Sequence, residues 1–205
     1  TKELLKCLLQ DFAPITTPEH VNTELGVASW LLKNVPKKAE NPFLIVEMGA
    51  YRKGEIRTLC RVAQPTMAVV TALGSDHLAL FGSEEAIVDA NAEILEALPE
   101  DGSVFLFGDN ERTASLASRT KRTAHSTHVS DVENVRDTDR GLSFEAYGTR
   151  FAVALHGQHN MGNTALALAV ATALGVAPER LRELLAGFRG STRTFHLRTE
   201  RGIHI

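Results

Sequence analysis

The sequence is short of several things, and each shortage narrows what the protein can be. Only two cysteines occur in 205 residues, and no CxxC pair or His/Cys cluster suggests structural zinc. Cys7 and Cys60 fall on apolar helical stripes beside Leu4 and Leu8, and Ile56 and Leu59, which predicts buried, reduced thiols. Basic excess is lacking too. The 22 Lys and Arg against 25 Asp and Glu leave a net charge of −3, which argues against nucleic acid as a partner. No apolar run approaches the roughly 18 residues of a membrane span, and no signal-peptide pattern is present. The expectation is a cytoplasmic, monomeric protein that does not enter a membrane. Internal repeats and low-complexity tracts are also missing. What is there, 43% hydrophobic residues, suits an α/β domain with a sizeable core.

The stretch from Val69 to Asn91 organises the rest. An apolar run, 67–73, breaks at Gly74; a polar loop carries Asp76 and His77; Ser83 then opens a helix. Strand, loop and helix in this order place reactive groups at the carboxyl edge of a parallel sheet. A second such unit lies upstream, where the apolar run 43–48 ends in Glu47 and Gly49. The two runs are predicted to be neighbouring parallel strands that deliver Glu47 and His77 to one edge.

Around these units the pattern predicts helices over 1–10, 24–33, 54–63, 84–98, 159–174 and 178–186. A further strand, 103–107, comes after Asp101-Gly102. From about 121 to 156 the texture changes to short alternating segments, beginning with 125–129, which read as an antiparallel meander. The fold expected is α/β: a mostly parallel sheet flanked by helices over 1–120, a small antiparallel β subdomain over 121–156, and helices and a closing strand over 157–205. The first helix has no lead-in and the strand-like Gly202-Ile203-His204-Ile205 has no visible partner, so the natural chain is expected to continue beyond both ends.

Several residues could carry chemistry, and each has a plainer alternative. Glu47 offers the oxygen ligand Mg²⁺ prefers, or is a salt-bridged strand end. His77 is a site histidine or a loop cap. Asn91 sits mid-face among Ile87, Val88, Ile94, Leu95 and Leu98, so its amide needs partners, either in a site beside Glu47 and His77 or on nearby backbone. His159, Asn160 and Asn163 open an apolar helix, as caps or as amides that read a nucleobase edge. Arg189 and Arg193 flank Gly190-Ser191-Thr192, as solvated cations or as partners of a transferring phosphoryl group.

Taken in order, these blocks resemble the Mur ligase family in its central, ATP-binding domain. Thr1-Lys2-Glu3 resembles the residues immediately after the family's Gly-Lys-Thr phosphate loop, and Asn22-Thr23-Glu24-Leu25-Gly26-Val27 resembles its substrate-side segment. Glu47-Met48-Gly49-Ala50 and Gly54-Glu55-Ile56 resemble its acidic metal-site strand and the helix after it. Thr71, Gly74, His77-Leu78 and Phe81-Gly82-Ser83 resemble its histidine loop. Gly157, His159-Asn160 and Asn163-Thr164-Ala165-Leu166 resemble its adenine-side helix, and Arg193 the arginine that closes the domain. The resemblance covers essentially the whole chain.

It implies a P-loop-type fold and ATP-dependent amide bond formation in peptidoglycan precursor synthesis. ATP and Mg²⁺ would be required, an acyl phosphate would form on a UDP-MurNAc-peptide, and the amine would be D-alanyl-D-alanine. It implies catalytic roles for His77, Asn91 and Arg193, ATP contacts from His159, Asn160 and Arg193, substrate contacts from Asn22 and Thr23, and metal contacts from Glu47 and His77. A relative that ligates another amino acid, as folate polyglutamate ligases do, or a non-catalytic nucleotide-binding relative, is the alternative. The family's Gly-x-x-Gly-Lys-Thr loop and its amino- and carboxy-terminal domains do not occur in these residues, so the 205 residues alone are expected to be inactive. Asn91 stands where the family usually has a carbamylated lysine.

Overall fold

The computed structural model describes residues 1–36, 43–75, 78–190, 199–200 and 203–204. It divides into two compact units, one of Asp11–Thr127 with Lys2, the other of Glu3–Gln10 and His128–Ile205 with Thr1. Helix α1 (Lys2–Leu8) opens the chain. Its Leu4, Leu5 and Leu8, with Leu9 just beyond, are buried, as the stripe predicts. Cys7 is only partly buried; its thiol donates to the Leu184 carbonyl.

In the unit of Asp11–Thr127, β1 (Ile15–Thr16) pairs in parallel with β2 (Leu44–Ile45), and α2 (Glu24–Asn34) lies between them in the chain. Next come α3 (Glu55–Ala63), β3 (Met67–Val70), α4 (Leu78–Phe81) and α5 (Glu84–Ala97). The unit ends with β4 (Ser103–Phe107), α6 (Glu111–Ser115) and β5 (Thr123–Thr127). Strands β3, β4 and β5 form a parallel sheet in that order.

Two expectations change here. The run 43–48 is hydrogen-bonded to β1, not to the 67–73 run, and its ladder is two residues long. The last ladder bond is Thr17 N–H to the Ile45 carbonyl. The Thr17 carbonyl, next in the ladder, accepts from Lys2 Nζ at 2.8 Å, and the Glu47 N–H donates to the Thr17 hydroxyl instead, at 3.1 Å. The second change is β5, read from the sequence as the meander's first strand; it extends the parallel sheet instead.

Helix α5 starts where the sequence places it. The Ser83 hydroxyl accepts the Ala86 N–H, and Glu84 and Glu85 fill the electropositive first turn. Its Val88 and Leu95 join Ala68, Val70, Val104 and Leu106 of the sheet in one core. Each of the Val and Leu side chains contributes about 1.5–3 kcal/mol on burial. A second cluster of Val27, Ile56, Leu59 and Cys60 holds Val46 and Met48, with Ile94 of α5. The segment carrying Glu47 is thereby seated among α2, α3 and α5.

Burial, with Glu93 nearby, pushes the Cys60 thiol up to about 11. At pH 8 that leaves about one part in a thousand as the reactive thiolate. The expected outcome is that iodoacetamide at pH 8 leaves Cys60 unmodified in the folded protein and labels it after denaturation, read by mass spectrometry.

In the other unit, β6 (Glu133–Thr138), β7 (Gly141–Ala146) and β8 (Thr149–Val153) form an antiparallel meander. Leu142, Phe144, Phe151 and Val153 are buried, and the rings of the opposed Phe144 and Phe151 stack with centroids 5.4 Å apart. Strand β6 is exposed throughout, a charged edge that discourages further strand pairing. The β6–β7 turn is clamped to the exit of β8, where the Leu142 N–H donates to the Leu155 carbonyl at 2.9 Å. Gly141, at φ +111°, permits this; a Cβ there would stand 2.2 Å from the Val153 oxygen.

After the meander come α7 (Gln158–Ala173), apolar and buried on most sides, and α8 (Pro178–Gly187). Strands β9 (Thr199–Glu200) and β10 (Ile203–His204) pair antiparallel, so the closing strand does have a partner. Among the described residues no helix is long and apolar enough to cross a membrane.

Candidate functional site

The unit of Asp11–Thr127 brings Glu47, Asn22 and Thr23 together. Glu47 lies just past the end of the β2 ladder, its backbone pinned by Thr17, which is fully buried. Its carboxylate is half-exposed and pairs with the Lys2 ammonium at 3.1 Å. That ammonium is nearly buried and also donates to the Thr17 carbonyl at 2.8 Å. The salt-bridged reading of Glu47 is the one observed, and the carboxylate is still open to solvent.

Two residues on, the Gly49 N–H donates to the Asn22 carbonyl, and a Cβ at Gly49 would stand 3.2 Å from the Asn22 amide nitrogen. Thr23 is the extended N-cap of α2; its hydroxyl makes no cap hydrogen bond and its side chain is exposed.

The loop after Glu47 is fixed at its far end by two carboxylates. Glu55 accepts the N–H groups of Tyr51 and Arg52. The Tyr51 N–H, ahead of the opposing effect of burial, holds its carboxyl below the usual range. Glu93 of α5 is 2% exposed and accepts the N–H groups of Gly54 at 2.8 Å and Arg57 at 3.0 Å. These are the donors that a helix start leaves without partners, and Gly54 has no side chain to satisfy them. An anion from a neighbouring helix does so instead.

Asn91, one turn before Ile94 on the same helix, donates its amide N–H to the Ile87 carbonyl at 2.8 Å. Of its two sequence readings, the structure supports the local backbone bond. His77, with Asp76, lies outside the described residues, as does Arg193. Arg189 donates to the Ala186 carbonyl at the end of α8, an exposed helix cap.

The other unit carries His159, Asn160 and Asn163 on the first turns of α7. The helix is entered through Gly157 at φ 85°, ψ 153°, a conformation essentially confined to glycine. Asn160 donates to the His156 carbonyl at 2.7 Å, and the Thr164 hydroxyl donates to the Asn160 carbonyl. His159 meets Asn163 across one turn, and the Thr1 hydroxyl donates to the Asn163 side-chain oxygen.

Asp137, at the end of β6, binds the loop before α7 with both carboxylate oxygens. One meets His156 Nδ1 at 2.8 Å and the other accepts the Gly157 N–H at 2.7 Å. Burial pushes the Asp137 carboxyl up, but the Gly157 N–H and the His156 ring outweigh it, and the carboxyl lies below its ordinary value.

Sequence reasoning missed Lys2, Thr17, Glu93, Asp137 and His156 as parts of these arrangements. One usable signal existed: α3 starts at Gly54-Glu55 without a capping side chain, so its cap has to come from elsewhere in the chain.

A profile of the Mur ligase middle domain matches residues 1–171. The UDP-N-acetylmuramoyl-tripeptide–D-alanyl-D-alanine ligase of Synechocystis sp. is 32% identical over 183 residues, 89% of this chain and 40% of the relative. The ligase of the same name from Bacillus subtilis is 30% identical over 211 residues, 100% of this chain and 46% of the relative. Among solved structures, the MurF ligase of Thermotoga maritima in complex with ADP superposes with a TM-score of 0.82 at 28% identity, covering 99% of this chain and 48% of that one. The chain thus spans less than half the length of each of these relatives.

Proposed function

The chain belongs to the Mur ligase family, as a middle domain, and from that premise we propose that it is the ATP-binding core of a cytoplasmic peptidoglycan-precursor ligase. In this reading ATP phosphorylates the terminal carboxylate of a UDP-MurNAc-tripeptide. The amine of D-alanyl-D-alanine attacks the acyl phosphate, giving an amide, ADP and phosphate. The observation that carries the reading is the similarity to ligases of that name over 89% and 100% of the chain.

The residues divide the work. Asn22 and Thr23, beside the Glu47 segment, face the UDP-sugar peptide. His159 and Asn160 take the adenine, and His77 and Arg193 keep the catalytic, metal and nucleotide roles that the resemblance implies for them. Glu47 suits Mg²⁺ in kind, with a half-exposed hard oxygen donor at a strand end. When bound, Mg²⁺ neutralises phosphate charge. Lys2 keeps the carboxylate in place beside it.

The test is phosphate release from ATP by the full reading frame, with UDP-MurNAc-tripeptide and with or without D-alanyl-D-alanine. The expected result is release that needs both substrates, and none from the 205 residues alone. A full-length protein that binds ATP but releases nothing would favour the non-catalytic reading, which the backbone-bonded Asn91 amide supports.

A further inference from the structure

Asn160 is held by something specific. The His156 carbonyl can only accept, so the Asn160 Nδ2 faces it and the side-chain amide is fixed in one of its two orientations. The His156–Gly157 peptide is fixed in turn by Asp137, whose two oxygens take the ring Nδ1 and the Gly157 N–H. The carboxylate only accepts, so the ring proton sits on Nδ1. Asp137 reaches this loop because the β6–β7 turn is clamped to Leu155. The whole chain of bonds lies within one unit.

We propose that the Asp137–His156 pair is a positioning device that sets the orientation of the Asn160 amide and thereby makes the site discriminate adenine from guanine. The inference rests on the nucleotide-binding reading above. A fixed amide presents its oxygen outward, where it accepts from the exocyclic amine of adenine. Guanine carries an oxygen at that position and meets it acceptor to acceptor. An amide free to turn over offers its NH₂ to guanine just as well. Loss of the pair therefore relaxes the choice of base while leaving the grip on the phosphates unchanged.

The experiment measures dissociation constants of ATP, GTP and inorganic tripolyphosphate by calorimetry, using the full reading frame as wild type, Asp137→Asn and His156→Ala. Asp137→Asn keeps one acceptor for the Gly157 N–H, so the loop remains folded, and thermal melts check this. The expected result is ATP preferred by the wild type, and a preference over GTP that falls about tenfold in both variants. Tripolyphosphate affinity stays unchanged. Equal weakening of all three ligands, or an unchanged ATP-to-GTP ratio, overturns the inference and leaves the nucleotide reading standing. A wild type that binds no nucleotide overturns both.

Discussion

Glu93→Ala is expected to lower the stability of the unit of Asp11–Thr127 by about 3 kcal/mol, more than any surface change on the same helix. The carboxylate is almost fully buried and accepts two backbone N–H groups at the start of α3. Hydrogen bonds to a charged group contribute about 1.5–3 kcal/mol each, and removing the acceptor leaves buried donors bare. Arg57, 3.9 Å away and partly exposed, adds little. For a chain of this size the loss corresponds to about 6–12 °C in the melting temperature.

Glu93→Gln separates charge from shape. Its amide oxygen still accepts one N–H, but its NH₂ is turned toward the other, so about half the loss is expected. Melting curves recorded by circular dichroism check both variants. An alanine variant as stable as the wild type would mean that water replaces the carboxylate at the start of α3. The functional consequence comes from position, since the capped end of α3 terminates the loop that begins at Glu47.

Gly141→Ala is expected to disrupt the meander, at a cost of about 3–5 kcal/mol. Two independent penalties coincide there. The φ of +111° is foreign to residues with a Cβ, and that Cβ would stand 2.2 Å from the Val153 oxygen and 2.9 Å from the Ala154 Cα. Both obstacles are backbone, so no side chain can move aside. The turn has to leave β8, and the Leu142–Leu155 hydrogen bond goes with it. Urea unfolding should show the loss directly, with Gly187→Ala as control, because a Cβ at Gly187 meets nothing within 4 Å. Since the same turn carries Asp137 to His156, a variant that still folds should also lose base discrimination.

Helices were the legible part of this sequence. The stripes of α1, α3 and α5 locate them within a residue or two, because the apolar spacing that defines a helix is local. Sheet partners were not legible. The apolar run at 43–48 looks like a long central strand, but its ladder is two residues long and gives way to side-chain bonds from Lys2 and Thr17, 45 and 30 residues from Glu47 in sequence. The Thr123–Thr127 strand has the short alternating texture of a meander and yet lies parallel to β4.

The site divides in the same way. Glu47 and Asn160 could be singled out by type and context, and Asn22 through the family resemblance. Lys2, Glu93 and Asp137 act on partners 45, 39 and 19–20 residues distant, and no periodicity reports such pairings. Asn91 drew notice as a polar residue in an apolar face, and the structure gives that amide a carbonyl of its own helix.

The division of the chain into units also has a consequence for biosynthesis. Helix α1 completes a core whose remaining elements are encoded after the 117 residues of 11–127. On the ribosome its leucines emerge long before α7 and α8 exist to cover them. Closing so long a flexible loop would cost about 4 kcal/mol in chain entropy. If the intervening unit folds first, it draws its own ends into fixed positions and much of that cost disappears. The order of synthesis thus favours a sequence in which the inserted unit matures early, α1 waits, and the outer unit closes last.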